Sequence, residues 1–236
     1  MTISVTVPVC ERVISFPCRL NLQSTKPFVV VRGPNGSGKT TLLKAILGLR
    51  PTNGKASIVY SNGGVMTTLD PTGDRSCVRY LPQNPDEGLF TRLSVADNIA
   101  VLKQLLRIRD ASFAQVYERI HASLQIAAAD LSVGQKKLFL MESIVASLEG
   151  VPEEGGVRVV VVLLDEPLAG LDPMVRSEVG CRLVAAGARY GASGRVFFVI
   201  VDHAEVREVG GAPATELDLR PGVKFTYACA ESVELV

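Results

Sequence analysis

Apolar residues along this chain fall into three kinds of run, and each predicts a different element. Phe28-Val29-Val30-Val31, the stretch Val159 to Leu164 and residues 195–201 are unbroken, β-branched and strand-sized. Such runs suit strands covered on both faces, as in a parallel sheet. Strict alternation appears in Ile3-Ser4-Val5-Thr6-Val7, so residues 1–23 read as short strands. Two further runs, 57–60 and 65–69, flank Ser61-Asn62-Gly63-Gly64, a hairpin signal because Asn-Gly favours a tight reversal. The period then changes. Val95, Ile99, Leu102 and Leu106 recur at helical spacing, and Ser112 with Gln115 has the form of a capping box ahead of Phe113, Val116, Ile120 and Leu124. Residues 91–130 therefore read as a helical insertion. Further helices are predicted over 41–49, from about Gln135, and from Asp172-Pro173 to Gly191, with a Gly- and Glu-rich loop over 149–156. Strand and helix alternate elsewhere, which predicts an α/β core with a mostly parallel sheet and an antiparallel β subdomain.

Composition fits this picture and narrows it. The 236 residues fit one large domain, and 47% hydrophobic against 21% charged residues supplies a packed core. The net charge of +1 argues neither for nor against a polyanionic partner, and no nucleic-acid partner is expected. No run has the apolar length of a membrane span, and the first nine residues lack a signal peptide's basic start. Five cysteines are scattered without a C-x-x-C pair, the usage of reduced thiols in a cytosolic protein.

The candidate chemistry begins after the first unbroken strand. Gly33-Pro34-Asn35-Gly36-Ser37-Gly38-Lys39-Thr40 fits G-x-x-x-x-G-K-[ST], and Thr41 leads into a helix. Strand, glycine loop and helix together form a phosphate cradle: backbone N–H groups curl round the anion and the helix N-terminus adds positive potential. Lys39 would reach the β- and γ-phosphates of a nucleotide, and the Thr40 hydroxyl would ligate Mg²⁺. The second element is Asp165-Glu166 at the end of the strand Val159 to Leu164. A buried strand holds two acids rigidly at the sheet's C-terminal edge, where phosphate-loop proteins bind nucleotide. Asp165 would hold Mg²⁺, and Glu166 would orient or deprotonate the attacking water.

The third element makes the pattern specific. Leu131-Ser132-Val133-Gly134-Gln135 stands between the glycine loop and the acids, a lone Gln83 precedes it and a lone His203 follows the acids. This order resembles that of the ATP-binding cassette (ABC) ATPases over residues 20 to 205. Leu81-Pro82-Gln83-Asn84-Pro85 resembles the family's Q-loop, Leu168-Ala169-Gly170-Leu171-Asp172 its D-loop, and Val199-Ile200-Val201-Asp202-His203 its switch histidine. The resemblance implies a single cassette over 1–236, with a P-loop NTPase, RecA-like core and a helical subdomain at about 88–148. It implies ATP and Mg²⁺ as cofactors. Glu166, His203 and Gln83 would serve catalysis, Gln83 joining Thr40 and Asp165 at the metal. Ser132 and the Gly134 N–H would hold the γ-phosphate of an ATP on a second protomer, so two chains would pack head to tail; Thr41 and Gln135 are also expected among the nucleotide-binding residues. The chain departs from the family pattern at Val133, where glycine is commoner, and in a longer stretch from Leu131 to Asp165. Phe16 is the nearest ring to place under adenine.

Chains with this engine differ in their partners. No coiled-coil insertion, zinc module or second cassette is visible here. The resemblance therefore implies the ATPase subunit of a transporter, cytoplasmic and peripheral on the inner membrane face. An integral membrane subunit would dock at the Gln83 loop and the 91–130 helices. A soluble cassette ATPase acting in a cytosolic assembly process, such as iron–sulfur assembly, is the other implied class.

Overall fold

The computed structural model describes residues 2–7, 18–23, 28–32, 36, 38–50, 56–62, 65–71, 75–108, 124–149, 159–191, 195–201 and 230–234. In chain order the elements are β1 (Thr2–Val7), β2 (Cys18–Gln23), β3 (Phe28–Arg32), α1 (Lys39–Ile46), β4 (Ser57–Asn62), β5 (Val65–Leu69) and β6 (Val78–Leu81). A 3-10 turn at Pro85–Gly88 precedes α2 (Val95–Leu106), α3 (Val133–Leu148), β7 (Val160–Asp165), α4 (Pro173–Ala186), β8 (Val196–Val201) and β9 (Ala230–Glu234).

These strands form two sheets. One has four strands in the order β2-β1-β4-β5, every neighbour antiparallel, with the predicted hairpin joining β4 to β5. The other has five strands in the order β6-β7-β8-β3-β9, every neighbour parallel. The unbroken apolar runs are the strands of this second sheet, and burial on both faces explains their lack of alternation. On one face Val30, Val160, Val162, Leu164, Phe198 and Ile200 meet α2, α3 and α4. On the other Val29, Val31, Val161, Leu163, Val199 and Val201 meet Leu42, Leu43 and Ile46 of α1 and Ile58 and Tyr60 of β4. Phe28 stacks on Phe198 with ring centroids 4.8 Å apart. A Cβ on Gly187, just past α4, would lie 2.0 Å from the Phe28 ring, so only glycine lets that helix end close over the sheet.

The insertion is helical in α2, where Val95, Ile99 and Leu102 are buried as their spacing predicts. Ser94 caps α2, and its neighbourhood is fixed by Asn98, whose fully buried side chain accepts from Phe90 N–H (2.8 Å) and donates to Phe90 O (2.9 Å) and Ser94 O (3.0 Å). The predicted helix capped by Ser112 falls outside the described residues, as does most of the 149–156 loop. Helix limits differ from the sequence expectation. The first helix covers 39–46 rather than 41–49, because Gly38 takes a left-handed N-cap and lets it start at Lys39. α3 starts at Val133, two residues before Gln135, because Ser132 supplies the cap. α4 gives way at Gly187–Gly191 to a single π-helical turn rather than running on to Gly191 as α-helix.

Candidate functional site

The parallel sheet delivers its chemistry at one edge. β3 leads to the glycine loop, whose described residues Gly36 and Gly38 have φ of 82° and 92°, a region that residues with a Cβ seldom adopt. No side chain caps α1. Its first N–H groups are therefore left without a side-chain cap, as at a helix N-terminus that can receive phosphate. Lys39 is buried at the first position of the helix. Of the other loop residues named from the sequence, Gly33, Pro34, Asn35 and Ser37 lie outside the described residues, as do His203 and Phe16.

Next to the loop, Thr40 Oγ1 donates to Asp165 Oδ1 at 3.2 Å. Asp165 ends β7 and has no exposed surface, and its Oδ2 is buried without a hydrogen-bond partner. Burial raises the carboxyl's pKa; the Thr40 bond opposes this, Glu166 adds to it, Lys44 opposes it and Glu87 adds to it. The Tyr80 hydroxyl is also buried and meets no hydrogen-bond geometry, although it lies near enough to Asp165 to feel it; its pKa is raised by burial first, then by the charges of Asp165 and Glu87, and last by hydrogen bonding toward Asp165. Glu166 follows with φ of 47°, a left-handed conformation rare for a non-glycine residue. Its N–H donates to Val201 O at 2.8 Å, and its Oε2 accepts from Gln83 Nε2 at 2.9 Å. Gln83 is exposed, just past β6. Thr40, Gln83, Asp165 and Glu166, some 125 residues apart at the extremes, thus meet at one place.

A second cluster stands at the head of α3. Ser132 and Gln135 form a reciprocal cap: Ser132 Oγ accepts from Gln135 N–H at 3.2 Å, and Gln135 Oε1 accepts from Ser132 N–H at 3.0 Å. The Gln135 side chain thus takes part in capping its own helix. Val133 is exposed and points outward, while a Cβ on Gly134 would lie 3.4 Å from Val175 of α4. Asp172 caps α4 through Met174 and Val175 N–H, both at 3.0 Å.

Three further ties were not read from the sequence. Lys137 Nζ donates to the carbonyls of Glu166 (2.8 Å) and Ala169 (2.7 Å). Asp86 and Glu87, adjacent in the turn after Gln83, reach in opposite directions, to Lys136 of α3 at 2.9 Å and Lys44 of α1 at 3.0 Å. A signal existed for Lys137: α3 is buried on nearly every side, so a lysine within it must find acceptors.

The family model described as ABC transporter matches residues 19–169, well over half of the chain. The chain belongs to the ABC transporter family. Among its relatives is a probable branched-chain amino acid transport ATP-binding protein of Archaeoglobus fulgidus, 32% identical over 149 residues, covering 61% of this chain and 57% of that protein. A phosphonates import ATP-binding protein of Hyphomonas neptunium is 32% identical over 199 residues, covering 77% of this chain and 69% of that one. The chain thus spans little more than half the length of the first of these relatives. Among solved structures, a dimeric post-hydrolysis state of an ATP-binding cassette bound to ADP and Pi matches with a TM-score of 0.59 at 17% identity, covering 86% of this chain and 88% of that one. That likeness is one of fold: the ABC cassette is a P-loop NTPase of α/β class, the class expected from the strand and helix pattern.

Proposed function

We propose that this chain is the ATP-binding and ATP-hydrolysing subunit of an ABC transporter, acting on a separate membrane subunit. The observation that carries the reading is the meeting of Thr40 with Asp165 beside Glu166 and Gln83. The donor set fits Mg²⁺: a hydroxyl and a buried carboxylate with an unpartnered oxygen are hard ligands for a hard cation. Thr40 and Asp165 would hold the ion, which when bound neutralises charge on the β- and γ-phosphates. Lys39 and the first N–H groups of α1 bind and orient the phosphate chain. Glu166 accepts a proton from, or orients, the attacking water, and Gln83 holds the carboxylate by its Oε2. His203 is assigned by its place in the motif order, hydrogen-bonding the γ-phosphate.

Ser132 and Gly134 are assigned to the nucleotide of a second protomer. The head of α3 is a helix N-terminus suited to phosphate, and the matching fold above is a dimer with ADP and Pi. The Gln83 loop and the helical subdomain, about 88–148, are assigned to the membrane subunit. Phe90 and Leu93 are exposed there, 49% and 37%, apolar surface that such a contact would cover. No helix among the described residues is long and apolar enough to cross a membrane, so attachment on the cytoplasmic side would run through that partner.

Glu166→Gln tests the reading. It removes the base and keeps the shape, so ATP binding should persist while turnover falls by about 10²–10⁴-fold. Light scattering of this variant with Mg-ATP should show a dimer. Turnover equal to wild type removes Glu166 from its role, and a strict monomer alongside an active wild type removes the head-to-tail pairing.

A further inference from the structure

Lys137 carries a charge into a helix position where neighbours are apolar. It is 2% exposed, and Leu138, Phe139 and Leu140 beside it are buried too. A buried ammonium persists only where acceptors replace its water. The two hydrogen bonds at 2.8 and 2.7 Å go to main-chain carbonyls, those of Glu166 and Ala169. Those carbonyls bracket a single turn, closed by Ala169 N–H donating to Glu166 O at 3.2 Å. The turn opens with the left-handed Glu166, φ 47°. Side-chain-bearing residues keep that conformation when surrounding structure holds them in it. β8 holds the entry through Val201 O. Lys137 holds the carbonyl on the other side of the same residue.

We infer that Lys137 is a positioning residue: its ammonium fixes the left-handed turn at Glu166 and so sets where the Glu166 carboxylate points. The inference rests on the proposed reading of Glu166 as the catalytic carboxylate.

The test compares wild type with Lys137→Met, Lys137→Gln and Lys137→Arg, measuring kcat, KM and the Kd of a fluorescent ATP analogue. Because misplacement by about 1 Å at a reacting centre costs on the order of a hundredfold, Lys137→Met should lower kcat about ten- to a hundredfold. KM and Kd should stay within about twofold, the signature of an interaction felt in the transition state alone. Lys137→Arg keeps charge and N–H donors and should return kcat to within about fivefold of wild type. If Lys137→Met does not fold, Lys137→Gln is judged by the same kcat and Kd criteria. A kcat within about twofold of wild type, a parallel loss of ATP affinity, or an arginine variant no better than methionine overturns the inference. An inactive wild type defeats the ATPase reading and this inference with it, whereas an active wild type equalled by Lys137→Met defeats this inference alone.

Discussion

Replacing Asp165 by Asn separates what this side chain costs the fold from what it does for nucleotide. Asp165 is fully buried, with one oxygen bonded to Thr40 and the other without a partner. A buried polar group left unsatisfied costs about 1–3 kcal/mol, more when charged. The asparagine keeps an oxygen for Thr40, removes the charge and offers an N–H₂ toward the Tyr80 hydroxyl, whose pKa already responds to Asp165. Without nucleotide or metal, Asp165→Asn should therefore be more stable than wild type at neutral pH by about 1–3 kcal/mol. For a chain of this size that is a rise in Tm of about 2–12 °C. The pH dependence has a fixed sign. Burial first, then the charges of Glu166 and Glu87 over the opposing Thr40 bond and Lys44, raises the folded pKa above the unfolded one. The native state then holds this proton more tightly than the unfolded chain. Wild type loses stability as pH rises from the unfolded pKa through the raised folded value, and the asparagine variant does not. The gap should be full above the folded pKa and close as pH falls to the unfolded one, near 3.9. Mg-ATP at about a thousand times Kd should reverse the ranking, because it stabilises the form that binds it by about 4.1 kcal/mol. Thermal melts from pH 4 to 8, with and without Mg-ATP, measure all of this. A ligand-free variant that melts below wild type at pH 7, or a gap that does not shrink toward acid, refutes the argument from the orphan oxygen.

Gly187→Ala should destabilise by about 1–3 kcal/mol or more in urea unfolding, because its Cβ would sit 2.0 Å from a Phe28 ring already stacked on Phe198; adding Phe28→Leu should recover part of the loss, and full stability of Gly187→Ala alone would contradict the packing. Asn98→Ala leaves the Phe90 N–H and two carbonyls without their side-chain partner and should cost about 1–3 kcal/mol, with faster amide exchange at Phe90 as its local sign.

What the sequence disclosed depended on how far apart the interacting residues lie along the chain. The phosphate loop and Asp165-Glu166 were legible because each packs its chemistry into a few adjacent residues after a strand. Val95, Ile99 and Leu102 were legible because helical burial repeats at a fixed period. Ends of helices were harder: Gly38 as a left-handed N-cap and Ser132 as a side-chain cap each moved a start by two residues. The ties between elements were not legible. Lys137 to Glu166, Asp86 to Lys136 and Glu87 to Lys44 join distant parts of the chain, and no local pattern marks them. Nor does anything within Ala230–Glu234 announce a strand; its place is set by the open edge of β3.

That edge has a consequence for synthesis. β3, the strand that presents the glycine loop, is flanked by β8 and β9, both encoded far downstream. The ribosome therefore releases Phe28-Val29-Val30-Val31 long before either neighbour exists. At about 5–20 residues per second, the wait for β8 lasts about eight to thirty-five seconds. Throughout that interval an apolar, β-branched segment with two unpaired edges is open to other chains. Nascent chains arrested anywhere before β8 should therefore clump rather than persist as partial cassettes.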